Sequence, residues 1–312
     1  MKDSPRGHGH GPEPTGYTPM AAFAAPARER AELWRTAAGL VVMVVVGITL
    51  YQLALAVMAT ALGPDTLRRV LDETTFFGDT ALGTLLSLAS FAVFAAGLAL
   101  ALQSLHGRPF ASLIGPPGRA AHDFLRVAGW IVALQAALML LLPQDYTLER
   151  NEGLFAGLWL ALLPVSFAAL MLQAGTEELV FRGYLQQQLA ARFGAGLWPV
   201  WMAVPAALFG VAHWAPGATG ANAGLYMAWA FAFGIAAADL TARTGTIGAA
   251  LGLHVANNGF AVLVTALAGP GSGLALWHVP LEASSPELAA LLPAEFATLL
   301  VAWLTARLAL RV

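Results

Sequence analysis

Long apolar runs separated by short polar stretches fill the chain from about residue 37 to its end. A helix needs about 20 mostly apolar residues to cross a bilayer. Eight stretches meet or approach that length, at 37–62, 81–102, 127–143, 153–174, 197–213, 223–241, 246–268 and 294–310. They predict an all-α fold, a polytopic transmembrane helical bundle of about eight spans. Pro164 and Pro205 fall inside two of these runs. Membrane helices tolerate proline where neighbours satisfy the freed carbonyl. Gly248 and Gly252, four apart in the seventh run, let another helix come close, and ordinary packing accounts for them.

Composition agrees with the pattern. Hydrophobic residues make up 58% of the 312 and charged residues 11%, whereas a soluble surface needs roughly a quarter charged. Mean hydropathy is +0.68. The absence of cysteine removes disulfides, thiol nucleophiles and zinc–cysteine sites. A net charge of −2 gives no reason to expect a nucleic-acid partner. Residues 1–35 are rich in Pro, Gly and charge and read as a disordered polar tail. Its His8 and His10 read as solvated rather than as metal ligands. The first apolar run starts too late, and is too long, for a cleavable signal.

Arginine placement gives an orientation. With the N-terminus inside, the inner segments hold Arg28, Arg30, Arg35, Arg108, Arg119, Arg126, Arg192, Arg243 and Arg311. The outer loops hold Arg68, Arg69 and Arg150. This predicts an integral protein of the cell inner membrane with both termini cytoplasmic. Segment 104–126 reads as a polar connector, and 269–293 as an outer loop punctuated by Pro and Gly.

Ionisable groups within spans are expensive and mark function by default. They occur at Glu177, Glu178 and Arg182, at His213, at His254 with Asn258, and at Asp239 with Arg243. On a helix Glu178 and Arg182 are four apart and share a face, so the cation can hold Glu178 ionised. Glu177 is rotated by about one hundred degrees and lacks that partner, as a general base would. His254 and Asn258 also share a face. From the turn near Arg192–Gly194, Glu177 and His213 come out at similar depths, about 16 and about 19 residues away. That depth, in the outer half, favours a substrate presented from outside. His254, about nine residues from the turn at Arg243–Gly245, is shallower, so tilt or offset must make up the difference. Asp239–Arg243 reads as an interfacial ion pair.

Three motifs appear in order: Glu177-Glu178-Leu-Val-Phe-Arg182, Phe209-Gly-Val-Ala-His213 and His254-Val-Ala-Asn-Asn258. Together they resemble the CPBP family of intramembrane endopeptidases, which includes the CAAX prenyl proteases of the Ras-converting type and relatives linked to bacteriocin self-immunity. The resemblance covers about residues 155–268. It divides the chain into the tail 1–35, an N-terminal region of three spans over 36–150, a CPBP-like catalytic core over 151–270, and an outer loop with the last span over 271–312.

The resemblance implies hydrolysis of a peptide bond at the membrane. Glu177 is then the base that activates water. His213 positions that water or binds a metal, His254 and Asn258 stabilise the oxyanion, and Glu178 and Arg182 support the site. Two cofactor readings stay open: none, or a single zinc ion on Glu177, His213 and His254, without the H-E-x-x-H spacing of zinc proteases. The implied partners are membrane lipids and a peptide or protein substrate with a C-terminal membrane-anchored or prenylated segment. Two other functions compete: a catalytically inactive scaffold or bacteriocin-immunity protein of the same fold, and a proton-coupled transporter, against which the lack of repeats and broken-helix pairs argues.

Overall fold

The computed structural model describes residues 16–65, 67, 79–141 and 147–312. His8, His10, Arg68 and Arg69 lie outside them. Twelve α-helices are described: α1 (Thr18–Ala24), α2 (Leu33–Leu62), α3 (Ala81–Ala89), α4 (Ala92–Ala101), α5 (Pro117–Leu141), α6 (Ala156–Glu178), α7 (Gln187–Phe193), α8 (Trp198–Ala212), α9 (Pro216–Thr219), α10 (Ala223–Thr244), α11 (Gly248–Gly259) and α12 (Leu288–Leu310). Several run together. α3, α4 and a π-helical turn to His106 form one rod, and α6 and α7 join through a π-helical stretch, Leu179–Gln186. Among the described residues, seven helical runs are long and apolar enough to cross a membrane. The chain is a polytopic all-α integral membrane protein.

The run expected to be the seventh of eight spans differs. α11 with its π-helical turn, Gly248–Val264, is shorter than the others, and the chain then turns into a strand. Most of α11 is buried, from Gly248 to Ala256 except Leu251. Hydropathy counts apolar residues without reporting whether lipid or protein surrounds them, and here it is protein.

α11 packs against α5 through its glycines. A Cβ on Gly252 would lie 2.7 Å from the Phe124 carbonyl oxygen, and Gly248 sits still more tightly on Ala120. In lipid, helix association draws on close packing rather than on burial from water. The central cluster is accordingly built of small side chains, Ala230, Ala237, Ala249, Ala250 and Ala302 among them, around Phe209, Phe233 and Leu253. Gly252→Ala is expected to destabilise the protein by about 1–3 kcal/mol. Gly118→Ala, where a Cβ meets open space, serves as the control. Thermal unfolding of both in detergent measures the difference.

The polar tail expected over residues 1–35 is folded from Thr18. Met20, Phe23 and Ala24 of α1 are buried against Leu189, Trp201, Ala238 and Ile247. The average composition of the segment conceals a local apolar subset, which supplies its own core face. Gln187 Nε2 donates to the Phe23 carbonyl at 2.7 Å. The Tyr17 hydroxyl donates to Asp239 Oδ1 at 2.7 Å. Burial first, then the Asp239 carboxylate, pushes that hydroxyl up to about 12. Asp239 also pairs with Arg243 at 2.9 Å and accepts from Trp303 Nε1 at 2.9 Å. The expected ion pair therefore ties the N-terminal segment, α10 and α12 together.

The connector 104–126 is largely helical, since α5 begins at Pro117. The presumed loop 269–293 holds β3 (Trp277–Glu282), flanked by β1 (Glu149–Arg150) and β2 (Thr265–Ala268). β1 runs antiparallel and β2 parallel to β3. β2 follows directly on the turn that ends α11, so the sheet caps the end of the bundle towards which Asn258 lies. Pro280 and flanking glycines hid this strand in the sequence.

Candidate active site

The first motif sits where α6 passes into the π-helical stretch. Such stretches are rare and often occur at functional positions. Glu178 and Arg182 remain in contact across the junction, Nη1 to Oε1 at 3.2 Å, with both side chains essentially sealed from solvent. Arg182 Nη2 also donates to the Gly234 carbonyl on α10 at 3.4 Å, and its guanidinium lies 4.8 Å from the Phe209 ring centroid. Gly234 also lets α10 lie close against α8, since a Cβ there would press on Ala206.

His254 completes the cluster from α11. Its Nδ1 lies 2.7 Å from Glu178 Oε1 and its Nε2 lies 3.4 Å from Glu177 Oε2. The two adjacent carboxylates thus meet the two nitrogens of one imidazole. Since a carboxylate only accepts, Nδ1 carries a proton towards Glu178. Nε2 and Glu177 Oε2 are then favourable neighbours when one proton is held on either of them. The 3.4 Å separation is longer than a good hydrogen bond. Glu177 is the more open carboxylate, with 14% of its side chain exposed against 0% for Glu178. Glu177 Oε2 and Glu178 Oε2 are buried without hydrogen-bond partners, and unsatisfied polar atoms in a site mark a place for water or substrate.

Of the six residues singled out from sequence, the structure joins Glu177, Glu178, Arg182 and His254 directly. Asn258 lies one turn along from His254, and its Nδ2 approaches Gln173 Oε1 at 3.5 Å. His213 stands apart. At the end of α8 its Nδ1 bonds the Phe209 carbonyl at 2.8 Å, and its ring packs 4.5 Å from that of Phe209. The Phe209 ring in turn lies 6.1 Å from that of His254. Phe209 is thus the neighbour the two histidines share.

For zinc the fit is poor. Among the described residues, no group of three His, Cys, Asp or Glu side chains could hold a metal ion. Glu177 and His254 could offer two donors, but His213 does not join them as the third. No chemical step is routed through a metal below.

Sequence reasoning missed several neighbours. Gln173 is a polar residue in an apolar run, so its signal was present. Phe209 and Phe233 pack on His254, the latter at 4.9 Å, and Trp229 stacks on Phe233 at 5.6 Å with its Nε1 buried and unpartnered. Nothing in a helix rich in aromatics distinguishes these from core residues. Gln186, Gln187 and Gln188 are fully buried. They do not touch the carboxylates. Gln186 donates to the Ala238 carbonyl at 2.9 Å, and Gln188 Nε2 contacts His106 Nδ1 at 2.8 Å, so they fix the helix that carries the site.

The fold and site define a helical membrane protein with an ionisable cluster sealed among its spans. Residues 157–260, which hold all three motifs, match the Rce1-like family, described as type II CAAX prenyl endopeptidase Rce1-like. Over those residues the chain is thus similar to the CAAX-type membrane endopeptidase family that its motifs resemble. The uncharacterized protein YyaK of Bacillus subtilis (strain 168) is 28% identical over 254 residues, covering 77% of this chain and 81% of that protein. No solved structure matches significantly.

Proposed function

We propose that the protein is an intramembrane endopeptidase that hydrolyses a peptide bond with water activated by Glu177. The observation that carries this reading is the convergence of Glu177 and Glu178 on the two nitrogens of His254, with Arg182 compensating the deeper carboxylate. Glu177 takes a proton from water, and the oxygen attacks the peptide carbonyl carbon. Charge develops on the carbonyl oxygen, where Asn258 and His254 Nε2–H are the available donors. One such donor is worth about a hundredfold or more in rate. Glu177 then returns the proton to the leaving nitrogen as the C–N bond breaks, giving an amine and a carboxylic acid, which ionises to water. Glu178 holds His254 by its Nδ1–H, and Arg182 lies against Glu178 as its cationic partner. His213, with Nε2 free, positions water or substrate at the edge of the site.

The substrate is a membrane-associated peptide or protein, with a C-terminal membrane-anchored or prenylated segment within this class. The arginine distribution supports cytoplasmic termini in a cell inner membrane. The reaction as written needs no metal. Purified protein in liposomes, given candidate precursor peptides, should release new C-termini at a rate unchanged by a strong zinc chelator. Cleavage abolished by chelator and restored by zinc would replace the glutamate–water mechanism with a metal one. Absence of cleavage across precursors from the same cells would favour a scaffold of the same fold.

A further inference from the structure

A second polar cluster lies away from the carboxylates, at the arginine-rich end of the bundle. There α2 begins and the rod ending at His106 stops. Arg108 follows that rod and is 8% exposed. Its Nη1 donates to Gln187 Oε1, but its Nε and Nη2 are buried without any partner. A buried cation is costly unless paired, and no carboxylate contacts this one among the described residues. Burial accordingly pulls the guanidinium down to about 10.

The neighbouring charges make the imbalance larger. Arg30 lies against Gly107, its Nη1 and Cζ 3.1 and 3.5 Å from where a Cβ would stand. Arg30 and Arg35 both direct Nη1 at the Leu105 carbonyl, at 3.5 and 2.9 Å. Glu32, paired with Arg35 at 3.1 Å, is the one carboxylate in contact with the three guanidinium groups among the described residues. Arg35 also lies 4.6 Å over the ring of Trp34, which is 59% exposed. An exposed tryptophan beside arginines at the start of a membrane helix is placed at headgroup depth.

We propose that Arg108, together with Arg30 and Arg35, forms a binding site for a phosphate group. Phosphate is the anion whose several oxygens match the unused N–H directions of guanidinium groups. It would arrive past Arg30, which is exposed and holds its carbonyl only loosely. The group is supplied either by the headgroup of an anionic lipid or by free phosphate. This site is independent of the peptidase reading.

The test uses the full chain in a non-ionic detergent and reads the thermal unfolding midpoint. Phosphatidylglycerol in the micelles is expected to raise the wild-type midpoint by about 4 °C, while an uncharged diacylglycerol glycolipid leaves it in place. The same rise with inorganic phosphate alone identifies the free anion as the source; its absence identifies the lipid. Arg108→Gln and Arg30→Gln should each lose most of the shift. Should Arg108→Gln fail to fold, Arg30→Gln, at an exposed position, carries the test. A wild type indifferent to both phosphate sources, or a folded variant with the full shift, overturns the proposal.

Discussion

Glu177→Gln is expected to give a folded protein that no longer cleaves. Glutamine keeps the size and the polar contact with His254 Nε2, but it cannot take a proton from water. General-base catalysis contributes about a hundred- to ten-thousandfold, so kcat should fall by about a thousandfold. KM should change little, because the carboxylate acts on water rather than on the body of the substrate. The unfolding midpoint should stay within ~2 °C, since Glu177 is partly open and has one contact at 3.4 Å. Steady-state cleavage of an identified precursor, run beside unfolding of the same preparations, separates the two effects. A variant retaining more than about a tenth of wild-type kcat would remove Glu177 as the base.

The second large effect is on stability. Arg182→Met leaves the fully buried Glu178 carboxylate with His254 as its remaining partner and breaks the bond to the Gly234 carbonyl. Breaking one side of a buried ion pair costs about 3–5 kcal/mol, much of it from the charge left behind, whereas removing both charges is far milder. The double variant Glu178→Gln with Arg182→Met should therefore be more stable than Arg182→Met alone, although it loses one more native group. Unfolding of the two single variants, the double variant and the wild type closes a thermodynamic cycle. An Arg182→Met protein as stable as wild type, or a double variant worse than either single one, would show that the pair is not the structural support assigned to it.

Much of this was legible before the structure. Apolar runs marked the membrane helices because lipid imposes a length and a composition on them. The spacing of Glu178 and Arg182 gave their contact correctly, since a separation of four survives the passage into a π-helical stretch. What sequence did not give was the identity of the partner for Glu177. That partner is His254, 77 residues on, and helix periodicity says nothing about which helices become neighbours. The depth comparison left His254 shallower and in need of tilt or offset, and the structure brings it to the carboxylates from the short, enclosed α11. The zinc reading joined three residues of types that commonly bind zinc, but among the described residues no group of three such side chains is assembled to hold a metal ion. α1 was hidden because a seven-residue helix with a short apolar face, set in a polar segment, is invisible to an average.

The π-helical stretch between α6 and α7 has a consequence for how variants of this chain should be compared. It sets the rotational phase between two halves of one rod. One half aims the carboxylates at α11, while the other, through Gln187 and Gln188, grips the N-terminal segment and the arginine-rich end. Removing Leu185 alone would leave hydropathy and charge nearly unchanged and all three motifs intact. It would still turn one half against the other by about one hundred degrees, so that the carboxylates or the glutamines face the wrong neighbours. The information held in this segment is an angle, and a one-residue gap there in an otherwise close relative separates a working site from its lookalike.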